Sequence, residues 1–358
     1  MKVFVGLSGG VDSSVTALLL KKAGYDVHGV FMKNWSQESE ECQLTKDLGD
    51  AQQIAQVLDI PFEVVDFSKE YWDYVFEEFL RELEAGRTPN PDILCNQYIK
   101  FDKFYHWCQS QGAEKIATGH YAALDSNNHL MRPTDDNKDQ TYFLWSVNPE
   151  VFHHVLFPLG GLTKTQVRQI AQDHDLITHN KDDSTGICFI GPKNYRQFLS
   201  KYLHSNPGPI MTTEGVNIGT HQGLMFYTLG QRSGLNLGGK KGYSELPWYI
   251  IEKNFQNNSL IVSQDKDHPF LLSHKLYAKS VNWQFSLNQE SLKGHARIRH
   301  LQDLQSCTIY PQSDHRVLIE FDTPQRAITP GQSLVMYQEK LCLGGGIIET
   351  PYWPIERN

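Results

Sequence analysis

The residues of this chain best placed to do chemistry are one glycine turn near its start and two cysteines in unusual local sequence. Ser8-Gly9-Gly10-Val11-Asp12-Ser13-Ser14 joins an apolar run to a helical pattern. Its glycines let a ligand approach the backbone closely, and a helix start, with outward N–H groups and a positive dipole end, attracts a phosphate. The Ser8 and Ser13 hydroxyls can add donors. Asp12 places an acid where a phosphate would sit, which makes sense with Mg2+ between the two. The turn is neither GxxxxGK[ST] nor GxGxxG, and it contains no lysine.

The first cysteine follows Thr88-Pro89-Asn90-Pro91-Asp92-Ile93-Leu94-Cys95-Asn96. Two prolines fix φ at their own positions and push the preceding residues towards extended backbone, which builds a stiff loop before a helix. Asp92 falls where an N-cap or first-turn acid belongs, and Cys95 follows one turn later, where a helix N-terminus lowers a thiol pKa. On this segment alone, Asp92 reads equally as a cap and Cys95 equally as core. The second cysteine lies in Asp182-Asp183-Ser184-Thr185-Gly186-Ile187-Cys188-Phe189-Ile190-Gly191. By itself it reads as a buried structural cysteine.

The positioning elements follow from periodicity. Over the first 200 residues, strands at Lys2–Leu7, Asp26–Met32, Phe62–Asp66 and Lys115–Thr118 alternate with helices at Ser13–Ala23, Asp47–Leu58, Lys69–Glu84 and Ile99–Gln111. That alternation predicts a parallel sheet with helices on both faces, and ligands of such sheets bind beyond the carboxyl ends of the strands. Met32 ends the second strand, where its backbone could meet an adenine edge. Gly119 follows the strand at Lys115–Thr118, where it could admit a nucleotide. Both positions read equally well as sheet packing. After Pro207-Gly208-Pro209 the texture changes to short strands and glycine turns: Gly223–Leu229, Pro247–Glu252 and Ser259–Ser263. From about Tyr277 come Ala296–Arg299, Val317–Phe321, Ser333–Tyr337 and Lys340–Gly344, a pattern that suggests a small β-barrel or sandwich.

Composition sets outer limits. At 358 residues the chain predicts two or three domains, and 40% hydrophobic with 21% charged residues is ordinary for a soluble globular protein. No apolar run approaches the roughly 20 residues of a membrane span, and the start does not read as a signal segment, so a cytoplasmic location is expected. A net charge of −8 argues mildly against a general nucleic-acid binder, although it permits a local basic face. Six cysteines without a CxxC pair suggest neither a disulfide scaffold nor a zinc site, and no metal ligand set is expected.

The glycine turn is similar to the SGGxDS loop of PP-loop ATP pyrophosphatases, enzymes that split ATP between its α and β phosphates. Taken with FMKNW (31–35), GRTPNPDILCN (86–96), IKF (99–101), ATGHY (117–121), KDQTYFL (138–144), DSTGICFIG (183–191), GLMFYTLGQR (223–232), TPGQS (329–333) and CLGGGII (342–348), the chain resembles the tRNA-specific 2-thiouridylase family over essentially its whole length. Departures are minor: Gln97-Tyr98 stands between two blocks, and the loop near Ser36–Cys42 looks shorter than in some relatives.

That resemblance implies an α/β PP-loop (adenine nucleotide α-hydrolase-like) domain at 1–204, a central β-rich domain at 205–275 and a C-terminal tRNA-binding β-barrel at 276–358. It implies ATP, with Mg2+, at Gly6, Leu7, Ser8, Gly9, Gly10, Val11, Asp12 and Ser13, together with Met32 and Gly119. Cys188 would carry a persulfide from a sulfur-relay protein, and Cys95 would form a disulfide with it after transfer. Asp92 is the implied general acid/base, and Asn90, Pro91 and Asp92 would meet a flipped-out wobble uridine (U34). The implied tRNA contacts are His120, Lys138, Asp139, Gln140, Arg299, His300 and Gln332, with tRNAs for Lys, Glu and Gln as substrates. Lys181, Lys193, Arg196, Lys201, Lys240 and Lys241 are further candidates for phosphate contacts. Two rival readings remain at this stage: a PP-loop ligase that adenylates a small acid, and a non-enzymatic RNA-binding module with a vestigial nucleotide loop.

Overall fold

In the computed structural model, residues 1–35, 41–183, 195–240, 242–286 and 289–352 are described. The chain opens with β1 (Lys2–Gly6), α1 (Val11–Lys22), β2 (Asp26–Lys33), α2 (Glu41–Val57) and β3 (Phe62–Asp66). A helical run then passes through α3 (Ser68–Tyr71), a π turn at Trp72–Phe76 and α4 (Glu77–Glu84). Next come α5 (Pro91–Leu94), a π-helical stretch at Cys95–Lys103, α6 (Phe104–Ser110) and β4 (Lys115–Ala117). The short strands β5 (Ala123–Leu124), β6 (Leu130–Met131) and β7 (Val155–Leu156) and the helices α7 (Lys164–Asp173) and α8 (Tyr195–Leu199) complete this part.

Strands β3-β2-β1-β4-β7 form one sheet whose neighbours are all parallel. Strand alternation divides the core, since successive side chains point to opposite faces. Val3, Val5 and Phe31 pack with Val15, Ile54 and Val167 of α1, α2 and α7. Phe4, Val30 and Ile116 face the other way, towards Tyr71, Phe76, Ile99 and Phe104. Both faces are therefore covered, as the βα alternation requires. The expected strand at Phe62–Asp66 is observed with those bounds.

The central unit is a four-stranded sheet of β8 (Gly208–Thr212), β9 (Asn217–His221), β10 (Tyr249–Asn254) and β11 (Ser259–Ser263), in the order β10-β11-β8-β9. One expectation fails here. Gly223–Leu229 is not a strand, because Gly223 turns the chain at φ +135° and Leu224–Phe226 forms a 3-10 turn. Leu224 and Phe226 are both buried, so the alternation that mimics a strand in the sequence is real, but a tight turn produces it.

At the C-terminal end, β12 (Leu272–Trp283), β13 (Leu292–Arg297), β14 (Gln305–Pro311), β15 (Val317–Arg326), β16 (Ser333–Gln338) and β17 (Leu341–Tyr352) close into an antiparallel six-stranded barrel through the β12–β17 pairing. Leu276, Ile309, Ile319, Phe321 and Met336 fill its interior. The barrel is joined to the first domain rather than tethered to it. β6 pairs with β17 at Leu341, and the glycine run of β17 makes room for a neighbour. A Cβ on Gly345 would come within 2.6 Å of the Trp145 ring.

The same joint holds a buried ion cluster. The Asp139 carboxylate, fully enclosed, accepts from Arg132 Nε at 2.7 Å and Arg297 Nη1 at 2.8 Å, and from the Thr141 hydroxyl at 2.6 Å. Removing one partner of such a pair strands the other charge, at a cost of about 3–5 kcal/mol. Asp139→Ala should therefore lower the unfolding free energy by about that amount in urea titrations, with the barrel and the first domain both affected. A loss below about 1 kcal/mol would show that the cluster does not hold the joint.

Candidate active site

The glycine turn takes the shape its sequence requires. Gly9 has φ +73°, and a Cβ there would fall 2.3 Å from the Asp47 carbonyl oxygen, so glycine is demanded both by conformation and by space. Gly10 is the N-cap of α1 and supplies no side-chain cap, which leaves helix-start N–H groups for an anion. The Ser8 amide donates to Ser13 Oγ at 3.1 Å, and the two hydroxyls lie 3.2 Å apart. Leu7 and Val11 are buried and anchor the two ends of the turn in the core. At the end of β1, a Cβ on Gly6 would sit 3.1 Å from Met32 Cε, so those two expected positions adjoin. Gly119 presses on the same turn, since its Cβ would lie 2.8 Å from the Ser13 amide nitrogen. The structure thus brings Gly6, Ser8–Ser13, Met32 and Gly119 together at the carboxyl ends of β1, β2 and β4.

Around this turn stand charges that the motif reading did not name. Lys164, the first residue of α7, places Nζ 2.8 Å from both carboxylate oxygens of Asp12 and 2.7 Å from Asp183 Oδ1. The Tyr121 hydroxyl donates to Asp12 at 2.9 Å. Asp183 also accepts from Lys138 at 2.7 Å and Arg168 at 2.9 Å. Burial alone would raise the Asp183 pKa, but hydrogen bonds from Lys138 and Lys164 outweigh it and hold the carboxyl down at about 2. Lys181 donates to the Gly9 carbonyl at 2.8 Å and to Asp47 at 2.7 Å, so it braces the turn from beneath. Thr163 caps α7 through a box with Gln166, a signal legible in the sequence as a helix start. That signal places Lys164 and Arg168 one turn apart without showing what they meet.

The cysteine loop is equally defined. Asn90 caps α5 by accepting the Asp92 amide at 3.1 Å, with Pro91 at the first helical position. Asp92 is therefore the first-turn acid and not the cap. Burial raises its pKa, against a smaller opposing effect of Lys100. Cys95 is buried and begins the π-helical stretch, a rare geometry often found at functional sites. Cys188, with Ser184–Asn194, lies outside the described residues. His120 is buried against Phe101, its Nδ1 2.7 Å from the Thr118 hydroxyl, and burial pushes its pKa well down, so the ring is neutral at pH 7.

The remaining expected contacts divide. Lys138 pairs with Asp183, and Gln140 Oε1 accepts the Tyr121 amide at 2.8 Å. Arg299 donates to the Ala327 carbonyl at 2.7 Å, His300 packs 4.3 Å from the Phe143 ring, and Gln332 donates to the Thr88 carbonyl at 2.7 Å. Asp139 is a correction, because a carboxylate with no exposed surface and its oxygens taken by Arg132, Arg297 and Thr141 is a structural tie and not an RNA contact. Among the extra candidates, Lys181 is occupied by Asp47 and Gly9, and Arg196 is directed to the Gly234 carbonyl. Lys201 is exposed and Lys240 half-exposed, whereas Lys193 and Lys241 lie outside the described residues.

Comparison with known proteins matches this architecture part by part. Residues 1–192 match the tRNA methyl transferase HUP domain, 196–264 the tRNA methyl transferase PRC-barrel domain and 273–348 the aminomethyltransferase beta-barrel domain. A tRNA-specific 2-thiouridylase MnmA of Psychrobacter sp. is 50% identical over 368 aligned residues, covering 98% of this chain and 92% of its own. The chain belongs to the tRNA-specific 2-thiouridylase family. Another member, from Francisella tularensis subsp. holarctica, is 49% identical over 97% of this chain and 99% of its own. Among solved structures, a U34-tRNA thiolase NcsA from Methanococcus maripaludis with its [4Fe-4S] cluster overlaps 52% of this chain and 60% of its own, at 19% identity and a TM-score of 0.36. The two 2-thiouridylase relatives are similar over nearly the whole chain.

The ion pairs of Asp183 carry a pH signature. Its folded pKa of about 2 lies below the ordinary value of 3.8, so its contribution is complete above about pH 4 and is lost as pH falls through 2. Asp183→Asn should flatten that part of the acid-stability curve measured by circular dichroism. An unchanged acid limb would mean that the three cations do not stabilise this carboxylate.

Proposed function

We propose that this protein is an ATP-dependent tRNA sulfurtransferase that makes 2-thiouridine at the wobble position, U34. The observation that carries the reading is family membership across nearly the whole chain, joined to a glycine turn shaped for phosphate and a rigid loop bearing Asp92 and Cys95. ATP lies over Gly6–Ser13 with Met32 and Gly119 at its edges, and the helix start of α1 receives phosphate oxygens. The uridine C2 oxygen attacks the α-phosphorus and pyrophosphate leaves. Lys164 and Lys138, whose ammonium groups border the turn, neutralise charge on the departing phosphates.

The base is extruded from the anticodon loop, because its C2 is otherwise out of reach, and is received at Asn90, Pro91 and Asp92. The terminal sulfur of a Cys188 persulfide forms the bond to C2, and AMP leaves with the former C2 oxygen. Cys95 thiolate then attacks the Cys188 sulfur, the S–S bond breaks and its electrons stay on the transferred sulfur. The resulting Cys95–Cys188 disulfide is reopened by cellular reductant. Asp92, whose pKa burial raises above the usual carboxylate value, is suited to act as general acid/base. Arg299, His300, Gln332 and His120 meet the tRNA, whose isoacceptors are those for Lys, Glu and Gln. Sulfur arrives from a relay protein.

Asp12 is the one acid within the turn, and it would hold Mg2+ together with nucleotide phosphates while sharing its carboxylate with Lys164. The ion's chemistry there would be charge neutralisation at the phosphates. Among the described residues no helix is long and apolar enough to cross a membrane.

Mass spectrometry of nucleosides from tRNA incubated with enzyme, ATP and a persulfide donor tests the reading. Thiolated uridine should form with the native protein and fall to background with Cys95→Ser or Cys188→Ser, while Asp92→Asn should slow it about 10²–10⁴-fold. Turnover that survives both cysteine replacements, or an absence of thiolated uridine with folded native protein, would overturn it.

A further inference from the structure

The loop that leads to Cys95 is not held by its own domain alone. The Thr88 N–H donates to the Pro330 carbonyl at 2.9 Å, and the Thr88 carbonyl accepts from Gln332 Nε2 at 2.7 Å, so both polar groups of this residue's backbone are taken by one turn of the barrel. Between them, Gly331 (φ +89°) packs so closely that a Cβ would lie 2.7 Å from the Thr88 nitrogen and 2.8 Å from Arg87 Cβ. That turn is itself fixed to the barrel wall, since Gly331 donates to the Ile348 carbonyl and Ile348 to the Gln332 carbonyl, each at 2.9 Å. The central unit adds the Thr228 hydroxyl, 3.3 Å from that of Thr88.

A second tie reaches the same cysteine from its other side. Asn96, immediately after Cys95, donates to the Phe143 carbonyl at 2.9 Å, and the Phe143 ring packs 4.3 Å from that of His300 on the barrel. Contacts from two separate points of the barrel therefore bracket the eight residues Thr88–Cys95. α5 runs without a break into the π-helical stretch and α6, so Asp92 and Cys95 lie in the opening turns of one helical run. Backbone groups at that end lack partners within the helix, and the flanking contacts at Thr88 and Asn96 help to fix its placement.

We infer that the barrel turn Pro330-Gly331-Gln332 positions the segment that carries Asp92 and Cys95, making the barrel part of the reaction centre's scaffold as well as a surface for RNA. Gln332 and Gly331 are positioning residues, acting through Thr88. The inference rests on reading Asp92–Cys95 as the reactive segment. It does not require turnover to be tested.

The test is alkylation of the full-length, tRNA-free protein with iodoacetamide, with each cysteine followed by peptide mass spectrometry. Cys108, Cys307 and Cys342 are buried and serve as internal controls. Gln332→Ala, which removes one hydrogen bond, and Gly331→Ala, which forces Thr88 away, should each speed Cys95 labelling about fivefold or more while the three controls stay at their native rates. In thiolation assays Gly331→Ala should lower kcat about tenfold or more, with KM for tRNA changed less than twofold, because a small misplacement of a reacting group is paid in rate. Native Cys95 labelling in both variants would overturn the inference, and so would a parallel rise at all four cysteines, which marks general loosening. Altered labelling in a protein whose native form makes no thiolated uridine would retain the positioning role and remove the proposed activity instead.

Discussion

The ammonium group of Lys164 makes the interaction on which the charge balance of the glycine turn depends. Asp12 stands in the first turn of α1, and uncompensated it would repel the phosphates that the helix start attracts. Lys164 meets both of its oxygens and also reaches Asp183, so one cation balances the acid of the glycine turn and the acid that precedes the Ser184–Asn194 segment. Lysine at the start of α7 opposes that helix's own dipole, an arrangement that is reasonable because two carboxylates hold it there. The same group is positioned to receive negative charge that arrives with a polyphosphate.

A second constraint works on the thiol. Cys95 lies near the start of the continuous helical run that α5, the π-helical stretch and α6 make together, just after the proline loop. Its place is set by packing against Ile99 and Phe104 beneath, and by the barrel at Thr88 and, through Phe143, at Asn96. The three parts of the chain therefore meet around the segment Thr88–Asn96.

Much of this was legible in the sequence, and the parts that were not share a cause. The β1–α1 turn was readable because everything that defines it lies within seven residues: strand alternation, two glycines and a helix start. The Phe62–Asp66 and Ser259–Ser263 strands were readable for the same local reason. Strand β14 (Gln305–Pro311) was not among the expected strands, although Cys307 and Ile309 alternate inward there, because the inward face is short and carries only these two buried residues. The π-helical stretch at Cys95–Lys103 leaves the same 3.6-like apolar spacing as an ordinary helix. Lys164 was not singled out in the sequence, because its partner Asp12 lies 152 positions away. Asp139 was expected at the surface because Arg297, which encloses it, is 158 residues distant. Pairings of that range leave no periodic trace.

The central claim is that the nucleotide activates the base oxygen so that sulfur can replace it. Its most direct measurement uses tRNA carrying 18O at the C2 oxygen of U34, incubated with enzyme, ATP and persulfide donor in ordinary water. The account predicts that the released AMP carries the label and that the thiolated uridine has lost it. Unlabelled AMP, formed alongside thiolated uridine, would contradict the account by showing that ATP cleavage and oxygen replacement are separate events.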